Sequence, residues 1–182
     1  TGLDTINSQI AQVKEQQKTL NTSGKQVNSG LATIAANKAK VNASIKTLKT
    51  ALTGMEQMQR SLAALEKQEA ALKTQIEAAG DMATEEMKSG LTSVQAQLKV
   101  IRDNLTKQGI TEAALPTKIK EMQANLTKAQ SGLTELEKNE KTLKANQKKV
   151  KAAQKKIKDG LKKLNDAKTK LESGKISTSE AM

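Results

Sequence analysis

The side chains of this chain that can do chemistry are carboxylates, lysines, hydroxyls and methionines, because the sequence contains no histidine, cysteine or aromatic residue. Without histidine or cysteine, acid–base or nucleophilic catalysis needs a carboxylate, lysine or serine held in a concave pocket. The repeat pattern of the chain predicts a two-stranded helical hairpin, which offers no such pocket. We therefore expect a protein that is not an enzyme, with no catalytic residue and no cofactor.

Methionine is the one soft ligand that the sequence offers to a metal. Four of the six methionines lie between residues 55 and 87, at Met55, Met58, Met82 and Met87. Thioether sulfur binds soft metals, but methionine more often fills irregular gaps in a core or forms an adaptable contact surface. The sequence favours the packing and contact roles, and we assign no metal site.

The elements that must position these residues are long helices. Residues 3–55 and 119–171 each keep an unbroken 3-4 spacing of seam positions for seven heptads, which is typical of a coiled coil. An amphipathic helix in a globular bundle is the alternative, but helices of 50 residues far exceed the usual 11 to 12 or so. In each block one seam column is apolar throughout, whereas the other contains polar residues, which help to fix register.

Breaks in the heptad pattern predict where the chain turns. The step from Leu52 to Met58 is 3-3 after Gly54, which locally overwinds a coiled coil and favours a bend. Gly80 can end a helix in the left-handed conformation, and Asp81 or Thr84 can cap the next one.

A second interruption lies at residues 108–116. Gly109 stops the second helix, and Pro116, the only proline, suits the first turn of a third. We predict helices over about 3–79, 84–108 and 117–176 in one elongated coiled-coil domain of residues 1–182. The fold class is all-α, a long antiparallel two-stranded hairpin with a tip near 80–84 and a joint near 54 and 109–116. The joint residues are Gly54, Gly109 and Pro116; a three-helix bundle and an open chain that dimerises are the alternatives.

Glycine recurs at one column beside the seam, in segments of the form apolar-x-(Ser/Asp)-Gly-Leu. Gly30, Gly132 and Gly160 belong to this column. Because an interior glycine costs a helix about 0.8 to 1 kcal/mol relative to alanine, we expect a packing reason, namely close approach of the two helices along that edge. Drift in a low-complexity repeat is the alternative.

Charge is unevenly distributed along the chain. The net charge is +12; residues 138–175 hold 14 lysines against four carboxylates, and residues 66–87 hold six carboxylates against two lysines. In a hairpin the basic block lies at the base, where lysines can meet an anionic membrane or wall surface, or are merely solvated. The acidic block lies at the tip, whose candidate contacts to an unknown protein partner are Gly80, Asp81, Met82, Glu85, Glu86 and Met87.

Nucleic acid is the main rival partner for so basic a chain. The sequence disfavours it, because no aromatic side chain can stack on bases, Arg60 and Arg102 are the only arginines, and we read the lysines as spread around the helix rather than gathered in one stripe. The helical hairpin of an efflux adaptor is another alternative. The sequence also leaves open whether the chain forms a homodimer.

The chain contains no apolar run long enough to cross a membrane and opens with no signal peptide. Because it begins at Thr1 rather than at methionine, we interpret it as a fragment of a longer protein. The absence of cysteine fits an extracytoplasmic location and the cytosol equally.

The lysine-rich heptads with Asp-Gly or Ser-Gly, such as residues 154–174, resemble the long extracytoplasmic coiled coils of FtsX-like ABC transporter permeases from Gram-positive bacteria. They are also similar to stretches of YhgE/Pip-type membrane proteins. The resemblance implies a stalk on the outer side of the cell membrane, joined to the rest of the membrane protein and coupled to a separate cytoplasmic ATPase subunit. It carries over no catalytic or binding residue, and the chain has no glycine-rich phosphate loop.

Overall fold

The computed structural model describes the backbone of residues 1–180 and the side-chain surroundings of residues 1–174. This part of the chain forms three α-helices, α1 (Gly2–Ala79), α2 (Glu85–Lys107) and α3 (Leu115–Glu180), with a single 3-10 turn at Gly80–Met82 and no strand. The predicted all-α class is confirmed. α3 begins at Leu115, two residues before the predicted start, so that Pro116 is its second residue and still lies in the first turn.

α1 runs for 78 residues and passes Gly54 without a break. The chain interruption near the predicted joint therefore lies only between α2 and α3. A bend of α1 at Gly54 stays a prediction.

Contacts group the chain into two units, one of Thr1–Lys40 with Leu133–Met182 and one of Val41–Gly132. The first unit pairs the start of α1 with most of α3. Its buried apolar residues include Ile10 and Ile34, and the two predicted seam columns are at least half-buried from Leu3 to Lys38 and from Leu133 to Lys168. Leu171, predicted as the last seam position, is 38% exposed, but it still lies against α1, since a Cβ on Gly2 would be 3.8 Å from Leu171 Cδ2. The single domain predicted from the sequence stays a prediction.

The second unit has the larger hydrophobic cluster. Its most buried members come from all three helices and from the α2–α3 loop: Met55, Leu62, Val94, Leu98, Leu105, Ile110, Leu115 and Ile119. Leu98, Leu105 and Leu115 are fully buried. The interruption between α2 and α3 is therefore packed among buried apolar side chains, and its role as a joint stays a prediction.

Candidate functional site

Among the residues whose side-chain surroundings the structure describes, three polar contacts join α1 to α3 in the first unit. Lys38 Nζ lies 2.6 Å from Glu140 Oε2. Gln147 Nε2 donates to Asn28 Oδ1 at 2.7 Å, and Gln154 Nε2 donates to Asn21 Oδ1 at 3.0 Å. As the α1 residue number falls, that of the α3 partner rises, so the two helices of this unit run antiparallel. We call these three contacts the polar ladder.

The Lys38–Glu140 pair is half-buried, with 26% and 23% of the side chains exposed. Glu140 also pairs with Lys144, at 2.5 Å. Hydrogen bonds from Lys144 and from Lys38 lower the pKa of the Glu140 carboxyl to about 2, and the bond to Glu140 raises the pKa of Lys38. Both side chains are thus held in their charged forms at neutral pH.

The sequence predicts the polar seam residues Lys38, Glu140, Gln147 and Gln154, but it missed Asn21 and Asn28 as partners. Both asparagines lie outside the seam columns and are exposed. A signal was present, because they are spaced by seven residues, as are the two glutamines that they bind. An amide spaced by one heptad beside the seam is therefore a usable indication of a cross-helix hydrogen bond.

The glycine column gives a divided result. A Cβ built on Gly30 would lie 3.1 Å from Leu143 Cδ1, so α3 packs closely against α1 at that residue. A Cβ on Gly132 or Gly160 would meet nothing within 4 Å. The predicted close approach therefore occurs at Gly30, but it is wrong for Gly132 and Gly160, which face open space.

The candidate tip is a tight reversal between α1 and α2. Gly80 has φ +52°, the left-handed conformation that favours glycine. Thr84 is the cap of α2, because its side chain accepts a hydrogen bond from the Met87 backbone N–H at 3.2 Å. Asp81, the other predicted cap, does not fill this role and lies in the 3-10 turn.

The tip side chains differ in their exposure. Met82 is the most exposed large apolar side chain described, at 84%, and Glu85 and Glu86 are exposed in the first turn of α2. Met87 is half-buried. The tip surface therefore consists of one apolar side chain beside carboxylates.

The α2–α3 loop is built on a Schellman motif, a common way for a helix to end. Gly109 has φ +69°. Its N–H donates to Thr106 O at 2.9 Å, and the Ile110 N–H donates to Leu105 O at 2.9 Å. The apolar contact that usually accompanies this motif is present, because Leu105 and Ile110 are buried in the same cluster.

Arg102, which is exposed, forms ion pairs with both this loop and α1. Its Nε lies 2.8 Å from Glu112 Oε2 in the loop, and its Nη2 lies 3.1 Å from Glu66 Oε1 on α1. The hydrogen bond from Arg102 lowers the pKa of Glu112. The adjacent Glu112 carboxyl raises the pKa of Glu66 through a shared hydrogen bond. One guanidinium thus holds two carboxyl groups from different segments.

Two of the four methionines between residues 55 and 87 have a packing role. Met55 and Met58 pack in or against the hydrophobic cluster of the second unit, as expected for core filling. Among the described residues no group of histidine, cysteine, aspartate or glutamate is arranged to hold a metal ion. No helix in this part of the chain is long and apolar enough to span a membrane.

Seven of the 14 lysines of residues 138–175 lie on one side of α3, whereas others, such as Lys149, Lys156 and Lys163, lie away from that side. With the seam defined by burial, seven exposed lysines follow one another at alternating steps of three and four residues: Lys141, Lys144, Lys148, Lys151, Lys155, Lys158 and Lys162. Residues at this spacing share one side of a helix. We call this set the lysine stripe.

Comparison of the chain with protein-family models, with curated proteins and with solved structures found no match. Function must therefore be argued from the contacts, exposure and charge of the chain itself.

Proposed function

We propose that this chain is a non-catalytic structural or protein-interaction arm, built as a long antiparallel two-stranded coiled-coil hairpin. The observation that carries the proposal is the opposite order of cross-helix partners within each unit. In the first unit Asn21, Asn28 and Lys38 contact Gln154, Gln147 and Glu140. In the second, the α1 residues Glu56, Glu66 and Glu69 contact Gln123, Arg102 and Gln95. Both sets fit one α1 paired first with α3 and then with α2.

A structural role suits the chemistry of these contacts. Polar seam residues lower the stability of a coiled coil but select one register and orientation. The ladder and the Arg102 contacts join helical segments and the α2–α3 loop to each other. Such contacts hold two helices in a fixed alignment, which is what an arm that positions a distant contact surface requires.

The charge distribution supports an arm with two different ends. Residues 1–40 and 133–182 together carry 19 lysines against nine carboxylates, a net charge of +10, whereas residues 41–132 carry +2. The acidic turn with its exposed Met82 is suited to a protein partner. The basic unit is suited to an anionic membrane or wall surface.

The cellular role that we propose is the one that the resemblance to FtsX-like permeases implies. We propose an extracytoplasmic stalk of a bacterial transport or membrane-remodelling system, attached to the rest of the same membrane protein and coupled to a separate cytoplasmic ATPase subunit. The tip would then present Met82, Glu85 and Glu86 to a partner outside the cell membrane.

The absence of cysteine makes the location straightforward to test. Ala39→Cys and Ala145→Cys replace exposed residues and can be introduced separately into the full-length protein in its own cell. A membrane-impermeant maleimide should label both in intact cells, above the background of the parent protein. Labelling that requires permeabilised cells would contradict an extracytoplasmic arm.

The coupling is tested separately. The full-length protein, purified in detergent from its own cell, should bring with it a subunit that hydrolyses ATP in stoichiometric amount. Extracytoplasmic labelling without such a subunit would still support an extracytoplasmic arm. It would contradict the coupling of that arm to an ABC-type permease.

A further inference from the structure

We propose that the lysine stripe is a binding site for a linear phosphate polyanion held by its backbone charges. The stripe runs from Lys141 to Lys162, so 21 residues at about 1.5 Å each give a length of about 32 Å along α3. Successive lysines are about 4.5 or 6 Å apart along the axis. Charges in a straight row match a chain of charges rather than a single compact anion.

The lysines of the stripe are available to a ligand. All seven are exposed. Lys144 pairs with Glu140 at 2.5 Å, and none of the other six takes part in an ion pair within the part of the chain that the structure describes. Six lysines without an ion pair attract counterions, and release of these counterions on binding a polyanion favours association.

α1 contributes charge and hydrogen-bonding groups to the same side. An open groove of about 310 Å³ is lined by Lys25 of α1 and Lys151 of the stripe, together with ladder amides of Asn21 and Gln154. Lys18 lies one heptad before Lys25 and is also exposed. Lys151 of the stripe therefore borders a basic, amide-lined groove between α1 and α3.

The composition of the stripe favours a polymer in water over a lipid bilayer. The exposed large apolar side chains of the described residues are Met82, Val100 and Leu171, and none belongs to the stripe. Nothing on this surface can insert among acyl chains. The sequence has no aromatic residue to stack on a base, so recognition of nucleobases is not expected. The ligand class is thus a polyphosphate or poly(phosphodiester) recognised by charge alone. This inference goes beyond the proposed stalk and rests on the first unit only.

The test uses fluorescently labelled long-chain inorganic polyphosphate, which carries neither bases nor sugars. The stripe variant replaces Lys148, Lys151, Lys155 and Lys158 by glutamine. The control variant replaces Lys149, Lys156, Lys163 and Lys170 by glutamine, which removes the same charge from α3 away from the stripe. Circular dichroism establishes that both variants keep the helicity of the parent, since glutamine and lysine have similar helix propensities.

Fluorescence anisotropy between 50 and 200 mM salt gives the affinity and its salt dependence. The parent should bind, and the stripe variant should lose affinity at 50 mM salt by about 10- to 100-fold, with the slope of log K against log salt reduced by about 2 to 3. The control variant should lose about threefold or less. Equal losses in the two variants, or no binding by the parent, would overturn the proposal.

Two further arms separate the sources of phosphate. Single-stranded DNA should bind with the same dependence on the stripe and without sequence preference, and a preference for particular bases would contradict recognition by charge alone. At equal phosphate concentration, a smaller fraction of the parent protein should bind phosphatidylglycerol vesicles, measured by flotation, than binds polyphosphate. Tighter binding to vesicles than to polyphosphate would indicate that the stripe binds a membrane surface, and it would overturn the proposal.

Discussion

Lys38 Nζ lies 2.6 Å from Glu140 Oε2, and the two residues come from seam columns of different helices. This ion pair, with the two amide contacts of the polar ladder, aligns α1 with α3 at three levels. The contacts give the first unit its specificity, whereas the apolar seam gives it most of its burial.

Glu140 predicts a distinct pH dependence of stability. Its pKa is about 2 in the folded chain and should be about 4.3 in the unfolded chain. The contribution is therefore fully present above about pH 4.3 and is lost as the pH falls towards 2, because only the unfolded chain takes up the proton. We expect the difference in melting temperature between the parent and Glu140→Gln to be largest at neutral pH and to vanish near pH 2. A difference that does not change with pH would contradict the assignment.

If the polar ladder fixes the register, then removing it should raise the stability of the first unit and make the register less specific. Replacing Gln147 and Gln154 together by leucine should raise the melting temperature, because two polar seam residues become apolar, and should loosen the register. The register is read by disulfide formation. Gly24→Cys should cross-link with Val150→Cys, since a Cβ on Gly24 lies 3.4 Å from Val150 Cγ1.

The matched pair is Gly24→Cys with Ile157→Cys, which is one heptad out of register. It should cross-link only in the leucine background. Efficient formation of this bond in the parent background would show that the ladder does not fix the register.

The two glycines of the predicted joint should respond oppositely to alanine. Gly54 lies inside α1 with nothing within 4 Å of a new Cβ, so Gly54→Ala should stabilise the protein by about 0.8 to 1 kcal/mol. Gly109 has φ +69°, and Gly109→Ala should destabilise it by about 1 to 2 kcal/mol, the cost of a left-handed non-glycine residue. Urea denaturation measures both. A destabilising Gly54→Ala would instead support a bend at that residue.

The glycine column is tested by alanine at three equivalent positions. Gly132→Ala and Gly160→Ala should each stabilise by about 0.8 to 1 kcal/mol, because each gains helix propensity in open space. Gly30→Ala gains the same propensity but sets a methyl group 3.1 Å from Leu143 Cδ1, so it should stabilise less or destabilise. Equal stabilisation at all three positions in urea titrations would show that no close packing exists at Gly30.

The sequence predicted the all-α class correctly because a seven-residue period is a repeated signal that many residues share. It did less well where the outcome depended on a single contact. In the α2–α3 loop, where glycine and proline interrupt the period, the sequence did not predict that Ile110 is buried with Leu105. That pairing had a signal, an apolar residue directly after the helix-ending glycine.

The lysine stripe shows the converse case. Its spacing is fully present in the sequence, but lysines at other heptad positions surround it, and the sequence analysis therefore predicted a spread of lysines around the helix. The partners Asn21 and Asn28 and the divided behaviour of the glycine column could not be read with certainty from one chain. Each depends on which residue of the opposite helix lies at the same level, and that alignment is fixed by the ladder as a whole.

The antiparallel hairpin is the central claim, and a distance between the outer ends of α1 and α3 tests it most directly. Asn7→Cys and Lys170→Cys, each carrying a nitroxide label, lie in exposed positions of the first unit. Double electron–electron resonance should give a separation of about one helix diameter, 10 to 12 Å, plus the length of the labels. A distance approaching the length of α3, about 100 Å for 66 residues, would contradict the hairpin.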